Sequence, residues 1–200
     1  MKKRFYFISL FLSITTIASS LWAQEKTFMQ RVTLEAGGGY ALPVAPSRDN
    51  TSLSDYAGFR SFYVGANYEF TDLLGLRLSY GNSGFRDSDD SSLGLTHHKF
   101  MAEATFNIIE AIEKKNSPFE VMVHGGAGLA LGKSKQTSGS DKMGVIQLGV
   151  MPQFYLTDNI RLHFDASYVV SLKQEYYYDG TDMDDTGQFL MISLGIGYKF

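Results

Sequence analysis

Apolar and polar residues alternate along most of the chain from residue 30 onward. A period of two is typical of strands that have one apolar and one polar face. The clearest run is the last, whose apolar members are Leu190, Ile192, Leu194, Ile196, Tyr198 and Phe200. Seven further runs lie near 31–42, 59–70, 74–84, 95–108, 120–131, 143–156 and 160–170. The pattern therefore predicts eight strands.

The predicted connections alternate between long and short. Long polar stretches follow the first, third, fifth and seventh runs, at about 43–57, 84–94, 132–142 and 174–187. Shorter turns follow the second, fourth and sixth runs, at 71–73, 110–118 and 157–159. Transmembrane barrels have long outer loops and short periplasmic turns. We therefore expect an all-β fold, an eight-stranded antiparallel up-and-down transmembrane barrel.

A basic and then apolar segment precedes the strands. Three basic residues at positions 2–4 stand before an apolar run over 5–18, and small residues follow it up to Ala23. This order is typical of a secretory signal peptide. The apolar run, at about 14 residues, is shorter than the roughly 20 that a transmembrane helix needs. We expect a cleavable signal peptide over 1–23 and an outer-membrane barrel domain over 24–200.

The remaining chain offers no other way across a membrane. After residue 24 no apolar stretch approaches 18 residues. Lipid provides no hydrogen bonds to the backbone, so a closed sheet is the alternative to a helix. The sequence has no cysteine, which excludes disulfides. Loss of the three basic residues of the signal peptide takes the formal net charge from -3 to -6, which disfavours nucleic acid as a partner.

Aromatic residues of the apolar face cluster at the strand ends. If odd strands run outward, the periplasmic end holds Phe70, Phe106, Phe119, Phe154, Tyr198 and Phe200. The extracellular end then holds Tyr40, Phe62, Tyr80, Phe100 and Tyr168. Two aromatic belts around an aliphatic band are typical of barrels in lipid. A soluble lipocalin-like carrier is the alternative, and it would need an apolar inner face.

The last strand ends in Gly197, Tyr198, Lys199 and Phe200. With this motif, the strand pattern and the signal peptide, the chain resembles the small outer-membrane β-barrel superfamily typified by OmpX and the membrane domain of OmpA. The resemblance covers essentially residues 28–200. It implies location in the outer membrane of a Gram-negative cell and contact with outer-membrane lipids and lipopolysaccharide. It also implies that the barrel-assembly machinery recognises the strand that ends at Phe200.

Charged residues of the inward face nearly balance. The acidic ones are Glu35, Glu69, Glu103, Glu120 and Asp165, and the basic ones are Arg77, Lys99, Arg161, Lys173 and Lys199. An eight-stranded barrel is about wide enough for side chains to fill, and buried charges must pair. We expect ion pairs in two tiers that plug the lumen. The periplasmic tier holds Glu69, Glu120, Arg161 and Lys199, and the middle tier holds Glu35, Arg77, Glu103, His124, His163 and Asp165. An ion path along the same residues is the alternative.

The sequence carries no catalytic motif. Some eight-stranded barrels modify lipid A with a serine and a histidine on the lipid face, but the outward His98 is followed two residues later by Phe100. His163 and Asp165 share the inward face as two members of a triad would, without a serine marked out by spacing. His97 near an acidic loop faintly resembles an omptin-type protease. We expect no catalytic, cofactor-binding or metal-binding residue.

Two acidic clusters lie in the predicted loops. They are Asp87, Asp89 and Asp90, and Asp179, Asp182, Asp184 and Asp185. The second lacks the glycine and terminal glutamate of an EF-hand, so we expect solvated charge, with loose divalent-ion bridging to lipopolysaccharide as the alternative. Tyr176, Tyr177 and Tyr178 favour the fourth loop as a contact surface or continue the seventh strand.

These observations predict a non-enzymatic outer-membrane barrel that acts in envelope integrity or in surface interaction through its loops. A narrow porin for small solutes is the first alternative. A lipid A-modifying envelope enzyme is the second. The surface partner stays open.

Overall fold

Eight strands form a closed barrel in the computed structural model, which describes residues 26–48, 51–113 and 117–200. The strands are β1 (Val32–Ala45), β2 (Gly58–Glu69), β3 (Leu74–Arg86), β4 (Gly94–Asn107), β5 (Phe119–Ser134), β6 (Asp141–Tyr155), β7 (Ile160–Tyr176) and β8 (Asp182–Lys199). Each strand pairs antiparallel with the next, and β1 pairs with β8. The predicted eight-stranded up-and-down barrel is confirmed.

Short helices accompany the strands. They are α1 (Lys26–Met29), a 3-10 helix (Leu53–Tyr56) and α2 (Ile108–Glu113). Helix α2 begins at the end of the predicted fourth strand and overlaps the turn predicted at 110–118. No helix in the described part of the chain is long and apolar enough to cross a membrane. The predicted signal peptide over 1–23 lies outside the described residues and stays a prediction.

The barrel turns its apolar face outward. On β8, Leu194 and Ile196 are more than half exposed, whereas Ser193 between the outward positions is buried. Strand β6 has the same pattern, since the outward Leu148 is exposed and the inward Gln147 is buried. This order is the reverse of a soluble barrel and suits a lipid environment. The lipocalin-like alternative is wrong.

Both predicted aromatic sets lie on the outer surface, each residue at least partly exposed. The rings of Tyr198 and Phe200 stack edge to face with centroids 5.2 Å apart. Near the extracellular ends, the ring of Tyr80 lies 5.0 Å from that of Phe100 and 6.1 Å from that of Phe62. Aromatic rings therefore lie side by side on the outer wall, in keeping with an interfacial belt.

Strands β7 and β8 extend farther than the sequence predicts. Pairs Gln174↔Asp185 and Tyr176↔Asp182 continue the ladder, so the connection is 177–181 and the predicted loop over 174–187 is wrong. These strand ends lie beyond the apolar band, where water tolerates polar side chains on both faces. Polarity there marks the end of the apolar band and not the end of the strand.

A β-bulge moves Lys173 out of the lumen. The register shifts between Ser171 and Gln174, and Lys173 has a φ of 54°. The extra residue leaves Lys173 exposed and turns Gln174 inward and buried. The prediction of Lys173 as a lumen charge is therefore wrong.

Glycine permits close packing of β4 against β5. A Cβ at Gly126 would collide with the backbone carbonyl of Ala102, and one at Gly128 with that of Phe100. These two positions need glycine because the neighbouring backbone occupies the space of a side chain.

Candidate functional site

The lumen is the candidate site, and its periplasmic end is closed by an ion-pair cluster. We define the periplasmic cluster as Glu69, Glu120, Arg161 and Lys199. Arg161 Nη2 lies 3.1 Å from Glu69 Oε1, and Lys199 forms an ion pair with the same carboxylate. Glu120 Oε2 lies 3.9 Å from Arg161 Nη1 and accepts a 3.0 Å hydrogen bond from the Tyr155 hydroxyl. A vestibule of about 980 Å³ lies at this mouth, lined by Glu69, Glu120, Tyr155 and Lys199 among others.

A second cluster fills the middle of the barrel. We define the central cluster as Glu35, Arg77, Glu103, His124 and Asp165, all buried. Arg77 places Nε 3.0 Å from Glu35 Oε2 and Nη1 3.1 Å from Asp165 Oδ2. His124 Nδ1 lies 2.8 Å from Glu103 Oε1, and its Nε2 lies 3.4 Å from Asp165 Oδ2. The two predicted tiers of paired charge are thus present, except that His163 of the middle tier bonds to Tyr63 and joins no ion pair among the described residues.

Lys99 links the central cluster to the layer above it. Its Nζ donates a 2.7 Å hydrogen bond to Gln147 Oε1. Gln147 Nε2 in turn donates to Glu103 Oε1 at 3.1 Å. The same Lys99 ammonium lies 5.4 Å from the ring centroid of Phe189. One side chain therefore contacts both a charged network and an aromatic layer.

An apolar layer closes the extracellular third of the lumen. We call it the apolar cap, and its buried members include Tyr56, Phe85, Leu95, Met101, Met143, Val145, Val169, Tyr177, Tyr178, Phe189 and Met191. The ring of Phe85 lies 5.1 Å from that of Phe189 and 4.9 Å from that of Tyr178, each edge to face. All three side chains are fully buried.

Sequence reasoning missed the cap. The available signal was the parity of the strands, because Phe85 follows Arg77 and Ser83 on the inward face of β3. Phe189 and Met191 likewise continue the inward face of β8 beyond Ser193. The prediction considered only the charged inward residues. It therefore did not extend beyond Lys99 to the apolar layer.

Two loop tyrosines complete the cap. The Tyr178 hydroxyl donates to the backbone oxygens of Ala45 at 3.1 Å and Gln188 at 2.7 Å. Burial raises the pKa of Tyr178, so the hydroxyl stays a donor. The Arg48 guanidinium carbon stands 4.2 Å from the ring centroid of Tyr177. Both rings are buried, so the predicted contact surface of three tyrosines is wrong for Tyr177 and Tyr178.

The inward histidine and aspartate considered as a partial triad do not pair. The ring of His163 bonds to the hydroxyl of Tyr63. The Asp165 carboxylate instead faces Arg77, as described, and accepts from Ser167. The geometry holds these groups in separate networks.

The other two candidate histidines have no catalytic partner among the described residues. His98 Nδ1 lies 2.8 Å from the Tyr80 hydroxyl and 3.1 Å from Asn82 Nδ2 on the outer wall. His97 points into the lumen, where its ring lies 5.6 Å from Phe85 and 5.8 Å from Phe189. Its predicted neighbourhood with the acidic loop is therefore wrong.

The loop aspartates organise turns. Asp87 Oδ1 accepts hydrogen bonds from the backbone N–H groups of Asp90 at 2.9 Å and Asp89 at 2.8 Å, which lower the pKa of Asp87. Asp179 Oδ1 accepts from the backbone N–H of Thr181 at 2.7 Å. Within the described ranges, no group of three or more acidic or histidine side chains is arranged to hold a metal ion.

The fold of this chain is similar to that of several solved outer-membrane barrels. No family model matches the chain, and no curated protein matches it. The chain is similar to the crystal structure of Neisserial surface protein A, with 17% identity, a TM-score of 0.60 and coverage of 84% of this chain and 97% of that one. It is also similar to a major outer membrane protein from Thermus thermophilus, with 16% identity, a TM-score of 0.52 and coverage of 84% and 98%. The N-terminal β-barrel domain of Pseudomonas aeruginosa OprF gives 16% identity, a TM-score of 0.51 and coverage of 86% and 98%. The predicted fold, a closed eight-stranded barrel like those of outer-membrane proteins, is confirmed.

Proposed function

We propose that this chain is a non-enzymatic outer-membrane barrel with a closed lumen, acting in envelope integrity or in surface interaction through its extracellular loops. The apolar cap carries the proposal. Its aromatic rings are fully buried, and two ion-pair clusters lie below it. These three successive layers fill the lumen and leave no path for solutes. We therefore assign the function to the outer wall and the loops.

The porin alternative is disfavoured because charged side chains of the lumen are buried and paired. A conducting pore keeps its charged side chains in water, whereas Arg77 and Asp165 are buried and pair with each other. The vestibule at the periplasmic mouth ends at the periplasmic cluster. An enzyme acting on lipid is disfavoured because His98 on the outer wall bonds to Tyr80 and Asn82 and not to a serine.

Purified protein in planar bilayers is expected to show negligible single-channel conductance. The physical reason is that a water path would have to pass two paired charge layers and the apolar cap. The measurement is current at ±100 mV in 1 M KCl, with a known porin as the positive control for insertion. Steady, reproducible conductance steps would promote the porin alternative to first place.

Native fractionation tests the proposed location. The protein is expected to sediment with outer membranes and to migrate faster on gels without heating than after boiling. The reason is that a closed barrel has all its strands hydrogen-bonded and resists detergent until heated. Recovery in the soluble periplasmic fraction would contradict the membrane assignment.

We also propose that β8, with Phe200 directly after it, contacts the barrel-assembly machinery. The outward pair Tyr198 and Phe200 supports this, since both rings are exposed at the periplasmic end of the wall. Lys199 between them faces inward to Glu69 and is not available on that surface.

A further inference from the structure

His97 is buried in the lumen, and neither nitrogen of its ring is hydrogen-bonded. In the part of the chain that the structure describes, both Nδ1 and Nε2 lack a partner. The other inward histidines differ, because His124 faces a carboxylate with each nitrogen and His163 bonds to Tyr63. A buried polar group without a partner costs free energy, so native proteins generally supply one. The hydrogen-bonding groups around His97 do not supply it.

Two methionine side chains flank His97. Ser83 lies directly opposite it on β3, and the Ser83 hydroxyl donates to Met191 Sδ at 3.9 Å. Gly132 lies directly opposite it on β5, and a Cβ built on this glycine would be 2.9 Å from Met143 Cε. Directly opposite residues of an antiparallel pair have Cβ atoms about 4.5 to 5.5 Å apart. One thioether therefore lies on each side of the imidazole.

The other neighbours of the imidazole are apolar. Its ring centroid lies 5.6 Å from that of Phe85 and 5.8 Å from that of Phe189. The two flanking thioethers are themselves buried members of the apolar cap. A bound water would need two to four polar partners. The hydroxyl opposite on β3 already donates to sulfur, so a water suits this place poorly.

The charges around His97 favour a single cation. Asp141 is paired with Gly132, which places it at the level of His97 and one strand farther around the barrel. The Asp141 side chain is buried, and its Oδ1 has no hydrogen-bond partner in the described segments. Lys99, two residues along β4, turns away, because its Nζ donates to Gln147 Oε1 next to the central cluster. A carboxylate is thus available to balance positive charge at this level.

We propose that His97, Met143 and Met191 bind one Cu(I) ion within the apolar cap. Thioether sulfur selects soft Cu(I), and imidazole also binds copper, whereas calcium and magnesium require oxygen ligands. Methionine has three rotatable bonds, so both sulfurs can turn towards the imidazole. The Asp141 carboxylate offsets the charge of the ion. This site goes beyond the role assigned to the loops, and it replaces the sequence-based expectation that no residue binds a metal.

Competition for Cu(I) with a chromogenic chelator, without oxygen, tests the proposal on the purified folded protein in detergent micelles. M143L/M191L removes both sulfurs and nearly conserves side-chain volume. The matched control, M122L/M151L, makes the same exchange at two buried methionines that are paired across β5 and β6. We expect the unmodified protein and M122L/M151L to bind one Cu(I) with Kd values within about twofold, and M143L/M191L to bind about a hundredfold more weakly.

The histidine has its own pair of variants. H97Q removes the buried imidazole, and H98Q removes the one on the outer wall. Cu(I) should raise the unfolding temperature of the unmodified protein and of H98Q, but not of H97Q, because only a folded-state ligand stabilises the fold. X-ray absorption at the copper edge should show sulfur and nitrogen ligands in the unmodified protein and no sulfur in M143L/M191L. If H97Q does not fold, the methionine variants decide the question.

All variants should still migrate faster on gels without heating than after boiling, so that loss of copper reports the site and not the fold. Equal Cu(I) affinity of M143L/M191L and M122L/M151L would overturn the proposal. So would Zn(II) binding as tight as that of Cu(I), because zinc takes thiolate, imidazole and carboxylate ligands. Samples are incubated until the signal is constant, since the ion must pass the turn at 177–181. No Cu(I) uptake after that incubation would also refute the site.

Discussion

Arg77→Ala is expected to destabilise the barrel by about 3 to 5 kcal/mol, the usual cost of removing one partner from a buried ion pair. Arg77 neutralises Glu35 and Asp165 at 3.0 and 3.1 Å, and it also lies 3.9 Å from Glu103. Without the guanidinium, these carboxylates stay buried with too few partners. The measurement is the urea midpoint of unfolding in lipid vesicles, followed by circular dichroism.

The matched control for this prediction is Arg60→Ala, which removes the same side chain from an exposed position. Its effect on the free energy of unfolding is expected to stay within about 0.5 kcal/mol, as for surface substitutions generally. Arg77→Lys should fall between the two, because it keeps the charge and loses the forked geometry. Equal midpoints for Arg77→Ala and Arg60→Ala would show that the lumen is hydrated and the cluster weak.

Phe189→Ala is expected to cost about 3 to 5 kcal/mol, the range for a buried aromatic truncated to alanine. Phe189 is fully buried and contacts Phe85 and Lys99, so its removal leaves a cavity within the apolar cap. The control is Phe164→Ala on β7, whose ring faces outward and is 44% exposed. Thermal unfolding of the two variants, read from gel mobility, should place Phe189→Ala well below Phe164→Ala.

Loss of the cap should not by itself open a channel. Phe85→Ala with Phe189→Ala is expected to lower the unfolding temperature further while conductance stays negligible. The reason is that the central cluster, held by Arg77 and Asp165, still closes the barrel below the cavity. Conductance in the double variant would show that the cap alone is the barrier.

The barrel was predictable because its outward face repeats one simple rule. Leu190, Ile192 and Leu194 alternate with inward residues along β8, and a similar alternation recurs along much of the other strands. For the lumen charges, the sequence predicted the tier to which a residue belongs and not the residue with which it pairs. Which carboxylate Arg77 meets depends on strand tilt and stagger around the closed barrel, and a single strand carries no record of these.

The extracellular end was predicted less well, for two physical reasons. Polar pairs such as Tyr176 and Asp182 still form a ladder in water, so composition underestimates strand length there. A single extra residue at Lys173 changes which side chains face inward, and no sequence signal marked that bulge. Tyr177 and Tyr178 are buried because the five-residue turn that contains them folds back over the barrel mouth. From the sequence, these tyrosines had indicated a contact surface.

The central cluster joins strands that lie far apart in the chain, and this bears on the order of assembly. Arg77 and Asp165 are 88 residues apart and sit on β3 and β7, so their bond crosses the lumen. An open sheet, with β1 and β8 not yet joined, holds these groups too far apart to meet. The cross-lumen bonds therefore form after the seam closes, late in folding, and interactions absent from the transition state slow unfolding without speeding folding. The central cluster thus stabilises the barrel after β1 and β8 have joined. We expect it to lengthen the lifetime of the folded barrel and to leave the rate of insertion unchanged.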